Sequence, residues 1–180
     1  MSAVLDAGPL IWLARCSLLD LLKHGYTYIM ITEAVYHEAV IAGLEKDYVD
    51  AETITKAIEE GWITVDKPLK ADMDEVKKVE AELGVQLGAG ERESIALAKR
   101  KKETFLTNDE DAYTVGKYLG IESRGILYVL LEAVKNGVIE KETAGKALGE
   151  MLNEGLWLSP EIVHLFHKKL GLLNKTQTER

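Results

Sequence analysis

The feature that most constrains this chain is its alternation of short apolar runs with longer stretches of helical periodicity. Residues 2–6, Tyr26 to Ile31, Trp62 to Val65 and Thr104 to Leu106 are compact runs bounded by turn residues, and they read as strands. Between them, Asp72 to Leu83 places Met73, Val76, Val79 and Leu83 at core spacing. Strands separated by helices predict an α/β layer fold with a parallel sheet. A fifth short strand is expected near Gly120-Ile121-Glu122. Helices are expected from Pro9 to Leu22 (one helix, then a short second turn), after Thr32, and over about 47–60, 72–83, 91–101 and 109–119. The last third reads as helices over roughly 125–136, 140–153 and 160–171, punctuated by Gly137, Gly155 and Pro160. No linker rich in Pro or Ser divides the chain. The expectation is one domain over 1–180: a core of about 1–123, a helical part of about 124–173 packed on it, and a frayed polar tail at 174–180.

Four acids stand where this pattern turns from one element to the next. Asp6 ends the first apolar run and Asp109 follows the fourth. If those strands are parallel neighbours, both acids project from the carboxyl edge of one sheet, where open α/β folds place their sites. Two readings are open for each, because Asp is also a preferred helix cap. Asp111 and Glu110 fit a first turn, where negative charge complements the helix dipole. Glu38 lies beyond the reach of a cap at Thr32 and shares a stripe with Ala34, Val35, Ile41 and Ala42. A carboxylate on that buried side must be paired, protonated or bound to metal. Glu91 shares a line with Ser94, Ile95 and Ala98 and reads either as a first-turn acid or as a ligand. Glu33 and Glu93 point to other faces and read as solvated charges. Carboxylates gathered at one edge repel one another unless a cation sits between them, and a hard divalent metal prefers oxygen ligands. A centre of that kind serves phosphate chemistry.

Composition narrows the function classes. The net charge of -8 argues against a general nucleic-acid binder, although Lys99-Arg100-Lys101-Lys102, Lys67 to Lys70 and Lys77-Lys78 leave room for a local basic rim. Cys16 is the single cysteine, which rules out an internal disulfide and a cysteine-based zinc site. His24, His37, His164 and His167 lack metal-ligand spacing, and Gly88-Ala89-Gly90 lacks the strand before it and the Gly-Lys-Ser/Thr after it that a phosphate loop needs. The start of the sequence reads directly into a strand without a signal-peptide pattern, and no apolar stretch approaches the roughly 20 residues that span a bilayer. A cytoplasmic protein with no membrane association is expected.

Four segments in order resemble the PIN domain of metal-dependent ribonucleases, the fold of VapC-type toxins. They are Val4-Leu5-Asp6-Ala7-Gly8-Pro9-Leu10, Ile31-Thr32-Glu33-Ala34-Val35-Tyr36-His37-Glu38, Gly88-Ala89-Gly90-Glu91-Arg92-Glu93-Ser94-Ile95-Ala96-Leu97-Ala98 and Leu106-Thr107-Asn108-Asp109. Gly125 to Leu131 and Gly155-Leu156-Trp157-Leu158-Ser159 are similar to one uncharacterised prokaryotic PIN subgroup, so the resemblance covers nearly the whole chain. The chain departs from the family pattern at Glu91, where many members have Asp, at Glu33, often proline, and at Asn108, where the subgroup often shows a second Asp.

The resemblance implies a three-layer α/β fold, with a central parallel sheet of four to five strands flanked by helices and a helical C-terminal extension. It implies a ribonuclease holding Mg²⁺ or Mn²⁺ on Asp6, Glu38, Glu91 and Asp109, with Asn108, Asp111 and Arg124 as accessory candidates. It further implies an RNA substrate, an antitoxin partner that offers an Arg to the carboxylates, and a homodimer; Trp12, Trp62 and Trp157 read equally as contributors to that dimer or as core residues. The alternative is a PIN-like module that binds RNA or protein without turnover. A phosphatase of the haloacid-dehalogenase type also begins with a strand ending in Asp, but it requires a second Asp where this chain has Gly8.

Overall fold

A computed structural model describes residues 2–173. The expectation of a frayed tail at 174–180 lies outside the described residues. Five strands, β1 (Ser2–Leu5), β2 (Tyr28–Thr32), β3 (Ile63–Asp66), β4 (Thr104–Leu106) and β5 (Ser123–Arg124), form one parallel sheet in the order β3-β2-β1-β4-β5. The chain moves outward from β1 through β2 to β3, then returns to the other side of β1 for β4 and β5. The switch point therefore lies between β1 and β4, where Leu5 is in register with Leu106. In open parallel sheets that crevice, at the carboxyl ends, is where ligands bind.

Helices cover the sheet. They are α1 (Ala7–Arg15), α2 (Leu21–Gly25), α3 (Glu33–Tyr36), α4 (Ala42–Leu44), α5 (Val49–Glu59), α6 (Lys70–Leu83), α7 (Ala89–Lys101), α8 (Glu110–Tyr118), α9 (Ile126–Lys135), α10 (Lys141–Asn153) and α11 (Pro160–Leu172). Two apolar clusters flank the strands. One gathers Leu5, Ile29 and Ile31 with Leu10, Leu13, Leu130, Leu148, Met151 and Phe166, so α9, α10 and α11 share a core with the sheet. The other packs Val4 and Phe105 against Val76, Val79, Ile95, Leu97 and Val115. Buried strands covered on both faces are expected to be apolar throughout, and Ala3, Val4, Leu5, Phe105 and Leu106 are all fully buried.

Two elements differ from the sequence reading. The fifth strand begins after the expected Gly120 to Glu122 segment, because the end of α8 claims those residues: Gly120 has a left-handed φ of 75° and Ile121 N–H donates to Gly116 O. Between α3 and α4 the helix passes through a π-helical turn, His37–Ile41. None of the described helices is long and apolar enough to cross a membrane.

Candidate active site

The carboxyl ends of β1 and β4 carry a continuous hydrogen-bond chain. Asp6 N–H donates to Leu106 O at 2.9 Å, which locks the two strand ends together. Asp6 caps α1, its Oδ1 accepting from Ala7 N–H at 2.8 Å. Its Oδ2 accepts from the Thr107 hydroxyl at 3.0 Å, and Thr107 Oγ1 accepts from Asp109 N–H at 3.1 Å. Asp109 in turn caps α8, with Oδ1 accepting from Ala112 N–H at 2.7 Å. The capping reading thus holds for both acids in part, yet each carboxylate also faces a cleft of about 980 Å³.

Glu38 and Glu91 line the same cleft. Glu38 was expected on a buried stripe; its side chain is exposed instead. The π-helical turn accounts for the difference, since its wider spacing breaks the 3.6-residue count carried forward from Thr32. Glu91 sits in the first turn of α7 and accepts from Gly88 N–H at 2.6 Å. Between these acids the backbone comes close: a Cβ on Gly90 would lie 3.6 Å from Glu38 Oε2 and 3.7 Å from Asp6 Oδ1. Glycine there leaves the space beside both carboxylates open.

A clamp behind the cleft holds the start of α7. Arg92 donates from Nε and a terminal nitrogen to the two oxygens of Glu80, at 2.6 and 2.8 Å, and to Leu87 O at 2.8 Å. Glu80 Oε1 also accepts from Leu87 N–H at 2.9 Å. Glu93, expected to be merely solvated, accepts from Ala34 N–H at 3.2 Å and ties α7 to α3, whereas Glu33 pairs with Lys67 at 2.7 Å.

The electrostatics show uncompensated negative charge. Burial pushes the Asp6 carboxyl up to about 7; the charges of Glu91 and Glu38 add to the shift, while the hydrogen bonds from Ala7 and Thr107 oppose it. Glu91 is raised as well, by burial first and then by Asp109, Glu38 and Asp111, against the Gly88 hydrogen bond. No Lys or Arg is among the described residues lining the cleft. An all-oxygen, unneutralised donor set fits a hard divalent cation. As the side chains stand, however, no three His, Cys, Asp or Glu among the described residues converge closely enough to hold a metal. Glu91, occupied with Gly88, would have to swing out of its cap to join the others.

The accessory candidates divide. Asn108 lines the cleft and its Oδ1 accepts from Ile126 N–H at 2.9 Å, leaving Nδ2 buried without a partner. Asp111 is within electrostatic reach of Glu91, but its neighbour Glu110 lines the cleft. Arg124 does not line it: the guanidinium pairs with Glu122 at 2.7 Å and lies 4.8 Å from the Tyr128 ring centroid. The sequence reading missed Thr107 as the link between Asp6 and Asp109, although a hydroxyl one residue past a strand at the switch point was a usable signal. It also missed Trp157, which reaches the cleft from a distant part of the chain.

The family model described as DUF3368, a PIN domain, matches residues 2–172. Among solved structures, VapBC2 from Rickettsia felis, bound to a DNA fragment from the promoter, aligns with a TM-score of 0.53 at 15% identity, over 69% of this chain and 98% of that one. A PilT N-terminus domain protein from the hyperthermophilic archaeon Sulfolobus solfataricus P2 aligns at 0.49 and 19% identity, over 74% and 94% of the two chains. No curated protein matches the sequence. With the family model spanning nearly the whole chain, and a five-stranded parallel sheet carrying acids at its switch point, the chain belongs to the PIN-domain family.

Proposed function

We propose that the chain is a divalent-metal-dependent endoribonuclease that hydrolyses RNA phosphodiester bonds. The observation that carries the reading is the set of four carboxylates, Asp6, Glu38, Glu91 and Asp109, around one cleft at the switch point with no cationic side chain lining it among the described residues. These four would hold Mg²⁺ or Mn²⁺. Bound there, the ion would supply Lewis-acid polarisation of the scissile phosphate and a more acidic water for attack. The protein's own part is orientation. Ala7 N–H and the Thr107 hydroxyl fix both oxygens of Asp6, and Ala112 N–H fixes one oxygen of Asp109, so these two carboxylates are preorganised. Glu38 and Glu91 are the adjustable members. Without a cation the cluster repels an RNA backbone.

A second reading, a PIN-like module that binds RNA or protein without turnover, is favoured by one observation: Glu91 is engaged with Gly88 and the acids do not yet converge. An antitoxin partner belongs to the proposal too. The Rickettsia felis relative is described as a VapBC2 pair on promoter DNA, and a partner segment presenting an Arg would satisfy the same carboxylates. A homodimer and a cytoplasmic location complete it.

The test is cleavage of a mixed panel of RNAs by purified protein in Mn²⁺, Mg²⁺ or chelator, with the product ends mapped. The nuclease reading predicts cutting only with metal and no 2′,3′-cyclic phosphate, because water rather than the 2′-hydroxyl attacks. Cyclic ends, or cutting that survives chelator, would contradict it. Folded protein that binds RNA but never cuts would move the assignment to the second reading.

A further inference from the structure

The cleft has a second character that the carboxylates do not use. Tyr113 from α8, Tyr128 from α9 and Trp157 from the α10–α11 connection also line it. Trp157 is 75% exposed, far more than packing an indole into a core would leave. Its exposure is built in. Leu156 on one side is buried, Leu158 on the other packs against the core, and Leu156 N–H donates to Met151 O at 2.8 Å. Trp157 faces outward while its neighbours on either side anchor the backbone. The segment is entered through Gly155, at a φ of 109° that other residues rarely adopt, and closed by Ser159, whose hydroxyl caps α11. Such a device presents one indole to the cleft.

Cations stand against the other two rings. Lys117 Nζ is 5.7 Å from the Tyr113 ring centroid and the Arg124 guanidinium 4.8 Å from that of Tyr128. The charges are therefore sorted: carboxylates line the cleft beside aromatic faces, and the cations sit against those rings without lining it. Among the described residues no Lys or Arg lines the cleft, so beyond the scissile phosphate, which a cation on the carboxylates would meet, no charge there can hold the rest of a strand. Stacking can, and it operates on any base. A duplex offers no free base faces.

We infer that Tyr113, Tyr128 and Trp157 form a stacking platform that seats unpaired nucleobases of the bound strand beside the carboxylates, its backbone leaving past Lys117 and Arg124. The inference rests on the nuclease reading and adds Trp157 as the residue that holds the strand. Trp157 positions the strand and takes no part in bond breaking.

The experiment measures fluorescence anisotropy of a labelled ten-nucleotide RNA with the full wild-type chain in Ca²⁺, a hard cation for the carboxylates and a weaker Lewis acid than Mg²⁺, with the RNA checked for intactness so that binding is read without turnover. The same protein is then examined with Trp157→Ala or Trp157→Phe added, and with an abasic strand or the matching duplex in place of the RNA. Binding of the single strand is expected to weaken about 5- to 100-fold in Trp157→Ala, the range of one lost base–aromatic stack, and to stay near the parent value in Trp157→Phe. The abasic strand and the duplex are expected to bind as poorly as the strand does to Trp157→Ala. Equal affinity for abasic and base-bearing strands, an unchanged Trp157→Ala, or no binding of any strand overturns the inference, the last leaving the wall to a partner protein. Turnover assays separate the two failures. Base-dependent binding with no cleavage by wild-type protein removes the nuclease reading and keeps the platform. Cleavage by Trp157→Ala with wild-type KM and kcat keeps the nuclease and removes the platform.

Discussion

The Thr107 hydroxyl donates to Asp6 Oδ2 at 3.0 Å, joining two residues 101 positions apart in sequence. Because Thr107 Oγ1 also accepts from Asp109 N–H, one buried side chain fixes the spacing of two of the four acids. The relationship exists only because β4 lies beside β1, in parallel and in register.

Thr107→Val keeps the shape and removes the hydroxyl. The hydrogen bond favours the charged carboxylate, so its loss is expected to raise the Asp6 pKa beyond about 7 in metal-free protein and to cost about 1 kcal/mol of stability. Carboxyl titration followed by NMR, with a denaturant melt, reads both. An unchanged Asp6 titration would show that the hydroxyl does not hold the carboxylate.

Asp6 also couples folding to pH. Its folded pKa, about 7, lies above the ordinary aspartate value of 3.8, so the folded state binds the proton more tightly than the unfolded chain. That contribution is fully present below about pH 4 and is lost as pH rises through 7. Asp6→Asn, neutral throughout, should therefore stabilise the metal-free protein at pH 8, by up to about 4 kcal/mol, and change little at pH 4. Mn²⁺ should stabilise wild-type protein at pH 8 and leave Asp6→Asn almost unmoved. Thermal melts at the two pH values, with and without Mn²⁺, check the four combinations.

Gly90→Ala probes the space between the carboxylates. The new methyl would meet Val35 Cγ2 at 3.4 Å, Glu38 Oε2 at 3.6 Å and Asp6 Oδ1 at 3.7 Å, contacts that the fold can accept. Alanine near the start of α7 is expected to be neutral or to add up to about 1 kcal/mol of stability. The same methyl crowds the two oxygens, so metal affinity and cleavage should fall. A variant with normal metal affinity would place the cation elsewhere.

Arg92→Met leaves the Glu80 carboxylate buried without its fork of donors. The cost is expected to be about 2–4 kcal/mol. Since Glu80 and Arg92 both grip Leu87, backbone amides in 84–91 should exchange faster with solvent. Hydrogen exchange confined to other parts of the chain would mean that the clamp does not hold the start of α7.

Much of the architecture was legible because periodicity survives in isolated segments. The strands around Val4, Ile29, Ile63 and Phe105 appear where apolar runs and turn residues place them, and Thr32 caps its helix as expected, accepting from Val35 N–H. What failed to show was information that exists only between segments. The outward position of Glu38 depends on a π-helical turn that a 3.6-residue count cannot reveal. The bond from Ala34 N–H to Glu93 crosses from α3 to α7, and the pairing of Arg124 with Glu122 turns away from the cleft a cation that sequence position had put near it. Trp157 could be noticed in the sequence, but whether it was core or exposed depended on which of three adjacent residues the backbone anchored.

The proposed nuclease requires the four acids to act together as a metal-dependent hydrolytic centre, and Asp6 is the member most fixed in place. Its most direct test is the initial rate of RNA cleavage in Mn²⁺ by Asp6→Asn beside wild-type protein, at equal concentrations and with equal circular dichroism. The account predicts active wild-type protein and a loss of at least about 100-fold in the variant, the scale on which removal of one preorganised electrostatic contact acts. A folded Asp6→Asn that cleaves within a few-fold of wild type would contradict it.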